Sequence, residues 1–94
     1  MKINAAIQLL PLETKGHRYN VIDNAIALIE SSGLKFKVCP FETVVEGESA
    51  NVYELIQSIQ NISLQNNCTE LLINIKIHAA SRDLNFEDKI AKFQ

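Results

Sequence analysis

The sequence predicts an α+β fold, and three observations carry that prediction. Residues 1–10 and 71–78 alternate between two side-chain sets with a period of two, which is typical of β-strands. Residues 21–32 and 48–64 instead repeat apolar residues every three or four positions, as amphipathic helices do. Two short runs between them, 34–38 and 43–46, read as strands, so the order is strand, helix, strand, strand, helix, strand. Two split βαβ units of this kind give a ferredoxin-like βαββαβ sandwich: a four-stranded antiparallel sheet with both helices on one face.

The first strand is predicted to end at Pro11, since proline has no N–H to donate to a sheet. Residues 12–19 are polar without any period and are predicted to form a loop. Asn20 is the expected N-cap of the first helix, and Gly33 suits the left-handed residue that follows its end.

The second and third strands are predicted to form a hairpin. Pro40 ends the second strand, Gly47 ends the third, and residues 39–42 make the turn between them. Glu48 and Ser49 then open the second helix, where a carboxylate is favoured by the helix dipole.

The fourth strand, 71–78, has the clearest alternation in the chain. The tail from Asp83 to Phe93 is loosely amphipathic, so a short third helix is predicted there. No repeat, linker or low-complexity segment interrupts the sequence, and residues 1–94 are therefore expected to form one domain.

The sheet face away from the helices is the informative one. If the aliphatic rows of the first and fourth strands lie beneath the helices, the other face carries Asn4, Ala6, Gln8, Leu10, Leu72, Asn74, Lys76 and His78. That mixture is too apolar for a merely solvated surface and too polar for a core, so a partner or a polar ligand is expected to cover it. Gln8 and Asn74 are candidate ligand contacts on this face, and a homo-oligomer is the economical partner.

Composition and charge exclude several classes of function. Nine basic residues against eleven acidic ones give a formal charge of −2, and the central strands lack stacking aromatics, so nucleic acid is not expected as a partner. No segment is long and apolar enough for a membrane span or a signal peptide, which indicates a cytoplasmic protein. Cys39 and Cys68 fit neither a redox pair nor zinc spacing, and two separate thiols are expected.

No catalytic or metal-binding set stands out in the sequence. His17 lies in the polar loop and His78 ends the fourth strand, and neither is near a group that would complete a triad. Arg18 and Asn20 would be the only hint of an acylphosphatase, but the glycine-rich context of that family's motif is missing. The chain is therefore predicted to be no enzyme and to hold no metal or cofactor.

Glu46 is the most informative carboxylate, because it lies on or just after a strand and directly before Gly47. A fixed carboxylate beside the Thr43 hydroxyl could bind an amino-pyrimidine or a cation. Strict alternation places Thr43 and Glu46 on opposite faces unless the strand twists or bulges. The simpler alternative is that Glu46 and Glu48 only favour the following helix N-terminus.

Residues 32–48 resemble the signature of the thiamine-binding protein family, formerly described as a domain of unknown function. They read Ser-Gly-Leu-Lys-Phe-Lys-Val-Cys-Pro-Phe-Glu-Thr-Val-Val-Glu-Gly-Glu. The shared pattern is a small residue with Gly-Leu, an aromatic two residues later, a proline, then Thr-x-aliphatic-Glu-Gly-acid. The resemblance extends to Pro11-Leu12 and to Ile75-Lys76-Ile77.

The resemblance implies a non-catalytic protein that binds thiamine or its hydroxymethyl-pyrimidine moiety, assembled as a homodimer or homotetramer. It places ligand contacts at Thr43 and Glu46, and Phe36 could offer a ring for stacking, although a core position is more usual for such a residue. Glu42 departs from the family pattern, which has a small residue there. Arg82 follows a longer segment than the family's basic residue does, so no role is carried over to it. The alternative function is an interaction module whose open face serves assembly alone.

Overall fold

The computed structural model describes residues 1–66 and 68–93, without the side chain of residue 92. The described residues form four strands and three α-helices, and a 3-10 turn, Ala91–Phe93, follows the last helix. The elements are β1 (Lys2–Thr14), α1 (Arg18–Ser31), β2 (Lys35–Val38), β3 (Thr43–Glu48), α2 (Ser49–Gln65), β4 (Cys68–His78) and α3 (Phe86–Ile90).

The four strands form one antiparallel sheet in the order β2-β3-β1-β4. β1 is central: it pairs with β3 from Lys2 to Ile7 and with β4 from Asn4 to Thr14. Both long helices cover one face, so the predicted α+β ferredoxin-like sandwich is confirmed.

The core lies between the helices and one face of the sheet. Ile3, Ala5 and Ile7 of β1 are almost fully buried there, and Val45 of β3 lies opposite Ala5 with no exposed surface. The helices contribute one buried apolar residue from each successive turn, namely Val21, Ala25, Ile29, Val52, Leu55 and Ile59. The aliphatic row of β1 therefore lies beneath the helices, as predicted, and the opposite face stays open.

β1 does not end at Pro11, which was the predicted boundary, but continues to Thr14. Pro11 is paired with Leu71 of β4, while the pairing of β1 with β3 has already ended at Ile7. Beyond Ile7, β1 has a neighbour on one side only, and a proline is tolerated at such a sheet edge because one side of the strand needs no donor.

Gly47 does not end β3 either; the strand continues to Glu48. Gly47 is buried opposite Ile3, and a Cβ built on it would lie 2.6 Å from Leu34 Cδ2. Glycine is present there because the Leu34 side chain passes directly over the backbone, which is a packing reason rather than a turn.

The helix and strand ends differ from the predictions by a few residues. His17, not Asn20, caps α1: its Nδ1 accepts from the backbone N–H of Tyr19 at 3.3 Å, and Asn20 lies inside the helix. Gly33 follows α1 with φ of 78°, as predicted. β4 begins at Cys68 rather than at residue 71, and the third helix is confined to residues 86–90.

Candidate functional site

Glu46 lies on the open face of the sheet and is 6% exposed. It is directly opposite Asn4 of β1, which is 4% exposed. Glu46 Oε1 accepts two hydrogen bonds, from Asn4 Nδ2 at 2.9 Å and from the backbone N–H of Phe86 at 2.6 Å. The carboxylate therefore holds the start of α3 against the sheet.

Lys35 compensates the charge of this buried carboxylate. Its Nζ lies 3.5 Å from Glu46 Oε2 and 2.9 Å from Glu87 Oε1, and it stands 4.7 Å from the centre of the Phe86 ring. The hydrogen bond to Glu87 raises the pKa of Lys35, partial desolvation opposes that shift, and the charge of Glu46 adds to it. Lys35 thus stays charged and links β2 to α3.

A cleft of about 320 Å³ opens beside this cluster, between the open sheet face and α3; we name it the open-face cleft. Ala6 and Val44, paired across β1 and β3, provide an apolar base, and Phe86 and Ile90 of α3 line it as well. The other lining residues are Asn4, Ala5, Lys37, Cys39, Lys76, Ile77, His78 and Lys89.

Two polar features of the open-face cleft are relevant to binding. Its lining includes Lys37, Lys76, Lys89 and His78, and no carboxylate from residues 1–66 or 68–93 lines it. Asn4 Oδ1 is buried and has no hydrogen-bond partner among the described residues. The orientation of this amide is fixed, because only Nδ2 can donate to the Glu46 carboxylate.

The five predicted site residues lie on two different faces of the sheet: Glu46, Gln8 and Asn74 on the open face, and Thr43 and Phe36 on the helix side. Glu46 lies directly behind the cleft, in contact with Asn4 and Phe86 that line it. Gln8 and Asn74 share the open face farther along the sheet, where Asn74 Nδ2 donates to Gln8 Oε1 at 3.2 Å.

Thr43 and Phe36 lie on the helix side of the sheet. Thr43 is buried opposite Ile7, and it lines a second cavity of about 200 Å³ together with Gln8 and part of α1. Phe36 is opposite Val45 and packs against the core. The strict alternation of β3 therefore holds, and no twist brings Thr43 next to Glu46.

The prediction of site residues missed Asn4 and the lysines of the cleft. Asn4 and Lys76 were recognised on the open face, but their role depends on cross-strand register, which a single sequence does not reveal. The placement of α3 over that face was also missed, because a five-residue helix leaves too short a pattern to show which surface it packs on.

Residues 1–66 and 68–93 contain no group of three or more His, Cys, Asp or Glu side chains arranged to hold a metal ion. None of the helices formed by them is long and apolar enough to span a bilayer. Cys39 and Cys68 are separate free thiols, the first half-buried and the second buried.

Comparison with known proteins decides the family. The family model described as thiamine-binding protein matches residues 5–94. The chain belongs to the thiamine-binding protein family. A relative from Clostridium perfringens, described as a UPF0045 protein, is 30% identical over 91 residues, which is 97% of this chain and 96% of the relative.

Several solved structures have the same fold as this chain. A domain of unknown function, DUF77, from Bacillus cereus superposes with a TM-score of 0.94 at 24% identity, covering 100% of this chain and 91% of the other. A Thermotoga maritima protein, named as a candidate for thiamine biosynthesis or salvage, gives a TM-score of 0.90 at 26% identity, with both chains fully covered. A Streptococcus pneumoniae protein gives 0.82 at 31% identity, covering 97% of this chain and 99% of that one.

Proposed function

We propose that this protein binds the hydroxymethyl-pyrimidine moiety of thiamine in the open-face cleft, as a binding protein without catalysis. Membership of the thiamine-binding family supports a small organic ligand. The cleft volume, about 320 Å³, is at the lower end of the range for small-molecule sites, roughly 300–1,000 Å³.

The unpartnered Asn4 Oδ1 is the observation that carries the proposal. A buried acceptor without a donor costs about 1–3 kcal/mol, so a ligand that donates to it gains that energy. The exocyclic amino group of the pyrimidine is such a donor, and the flat ring would lie on Ala6 and Val44. Because Oδ1 is buried in this structure, binding requires the side chains around it to shift.

Glu46 supports the ligand indirectly in this proposal. Both of its oxygens already have partners within the protein, one of them Lys35, so Glu46 orients the Asn4 amide rather than pairing with a cationic ligand. The second cavity, which Thr43 lines, is the alternative binding site for the ligand.

Titration calorimetry with hydroxymethyl-pyrimidine and with thiamine tests the proposal. We expect saturable binding at about micromolar Kd, equivalent to roughly −8 kcal/mol. Ala6→Leu, which fills the base of the cleft, should abolish binding, while Thr43→Val should leave it unchanged. Absence of binding to the wild type at millimolar ligand would refute the function, and loss in Thr43→Val alone would move the site to the second cavity.

Self-association is the second function that an observation favours. β4 lies at one edge of the sheet, and Leu72, Ile75 and Ile77 expose 47%, 37% and 41% of their surface. A long edge strand with exposed apolar side chains favours pairing with another chain. We propose that a second copy of the chain, in a homodimer or homotetramer, covers it.

A further inference from the structure

We propose that the open-face cleft selects an anionic ligand, and that a phosphate monoester of the pyrimidine binds in preference to the uncharged pyrimidine or the thiazolium-bearing cation. The identity of the ring rests on the proposed function. The preference for an anion rests on the charges of the cleft alone.

Two neighbouring rows of side chains cross the open face. One row runs Lys37, Val44, Ala6, Lys76 from β2 to β4, and the next runs Lys35, Glu46, Asn4, His78. Neighbouring strands are about 4.8 Å apart, and three such spacings separate β2 from β4. The Cα atoms of Lys37 and Lys76 are therefore about 14 Å apart, on either side of the apolar base. Their long side chains can both reach a group bound between them.

The charge of this lining is opposite to that of the whole chain. The chain carries a formal charge of −2, whereas the described residues that line the cleft include three lysines, Lys37, Lys76 and Lys89, and no Asp or Glu. Like charges gathered around a cleft with apolar walls raise the local potential and attract the opposite charge. A phosphate dianion has acceptor oxygens for several lysine ammonium groups at once.

The buried carboxylate of Glu46, behind the cleft, does not oppose an anion. Glu46 is buried, accepts from Asn4 and Phe86, and has Lys35 at 3.5 Å. Lys35 is shared with Glu87, whereas in the described part of the chain no ion pair forms at Lys37, Lys76 or Lys89. The three lysines of the lining are therefore available to a ligand, and they would favour a phosphate over a thiazolium cation.

The ring and the phosphate can be recognised at different points of the cleft. Asn4 Oδ1 would accept from the amino group of the pyrimidine, and its row is adjacent to the row that ends in Lys37 and Lys76. Lys89 comes from α3, above the sheet. Discrimination between the ester and the free alcohol would then depend on lysines and not on Asn4.

Calorimetry with hydroxymethyl-pyrimidine and its phosphate ester isolates the phosphate, because the two ligands differ in nothing else. We expect the ester to bind at least about tenfold more tightly at physiological salt, and this advantage to fall as salt screens the charges. Lys76→Gln and Lys37→Gln should each remove most of the advantage and leave the affinity for the uncharged pyrimidine within about twofold. Lys15→Gln, an exposed lysine far from the cleft, is the matched control and should change neither affinity.

The possible outcomes separate the two proposals. If both ligands bind equally, the anion preference is refuted and the proposed function stands. If inorganic phosphate competes with the ester and the pyrimidine alone never binds, the anion site stands and the proposed function is refuted. If neither ester nor pyrimidine binds, both fall. Lys37 and Lys76 are on the surface, so urea unfolding of both variants should match the wild type within about 0.5 kcal/mol.

Discussion

Glu46 joins three segments that are distant in sequence: β3, which carries it, β1 through Asn4, and α3 through Phe86. A buried carboxylate is stable only when its oxygens are hydrogen-bonded and its charge is matched. Here Asn4 and Phe86, each 40 or more residues away in sequence, supply the hydrogen bonds, and Lys35 on the neighbouring strand β2 matches the charge. The side chain therefore contributes to tertiary structure as well as to the proposed site.

Replacing this carboxylate should destabilise the fold. Glu46→Ala leaves Asn4 Nδ2 and the Phe86 N–H without an acceptor, and each buried unsatisfied donor costs about 1–3 kcal/mol. We expect a loss of about 2–4 kcal/mol in the free energy of unfolding, measured by urea denaturation. Glu48→Ala is the matched control: its carboxylate is more than half exposed, and the urea midpoint should hardly move. Equal effects of the two variants would contradict the role of Glu46.

Gly47 offers a test of packing at a single position. Gly47→Ala places a methyl group 2.6 Å from Leu34 Cδ2, so Leu34 must move, and overpacking of this kind costs about 1–3 kcal/mol. In a Leu34→Ala background the same substitution should cost about 1 kcal/mol less, as measured by a double-mutant cycle. Gly16→Ala should hardly change the free energy of unfolding, because a Cβ built on Gly16 meets no neighbouring atom within 4 Å. Additive effects of Gly47→Ala and Leu34→Ala would show that the contact is unimportant.

At the scale of elements, α3 depends on the sheet for its position. A helix of five residues is not stable by itself. Leu84 and Phe86 are buried, the Leu84 N–H donates to Lys2 O at 3.1 Å, and Asp83 Oδ1 accepts from the Lys2 N–H at 2.8 Å. These contacts attach the residues before α3 to the start of β1.

The Lys35–Glu87 pair should make the attachment of α3 sensitive to high pH. The folded state raises the pKa of Lys35, chiefly through the hydrogen bond to Glu87, so its stabilisation is fully present below the unfolded pKa near 10.5. It is lost as pH rises through the still higher folded value. We expect the difference in Tm between wild type and Glu87→Gln to shrink between about pH 9 and about pH 12. A difference that stays constant across this range would exclude Lys35 as its cause.

The order and type of the main elements could be predicted because the alternation of β1 and β4 and the apolar stripes of α1 and α2 are local patterns. Pro11 and Gly47 were misread because their roles depend on other elements. β3 begins only at Thr43, opposite Ile7, so β1 is not paired with it at Pro11, and Leu34 packs over Gly47. The opposite facing of Thr43 and Glu46 followed from alternation alone. Asn4 as the partner of Glu46 did not, because it requires the register between β1 and β3.

At the scale of the whole molecule, the two sheet edges differ. β2 is four residues long and carries Lys35 and Lys37, features that discourage pairing with other chains. β4 is eleven residues long and exposes Ile75 and Ile77 on the side of the sheet that the helices cover elsewhere. The β4 edge is therefore where a second copy is proposed to bind.

Light scattering coupled to size exclusion tests this assembly. We expect the wild type to have the mass of a dimer or tetramer and Ile75→Lys to be monomeric, because a buried lysine would lack a partner. Leu64→Lys, at a residue of α2 that is 46% exposed, is the matched control and should keep the wild-type mass. A monomeric wild type at high concentration, or an oligomeric Ile75→Lys, would refute the β4 interface.

The hydrogen bond from Phe86 to Glu46 has a consequence for biosynthesis. The sheet is complete once β4 has left the ribosome, but the α3 side of the cleft forms only after residues 83–90 have followed. A nascent chain that stops after β4 would have its sheet but would leave the Glu46 carboxylate uncovered. Binding in the proposed cleft during translation would therefore have to wait until residues 83–90 have been synthesised.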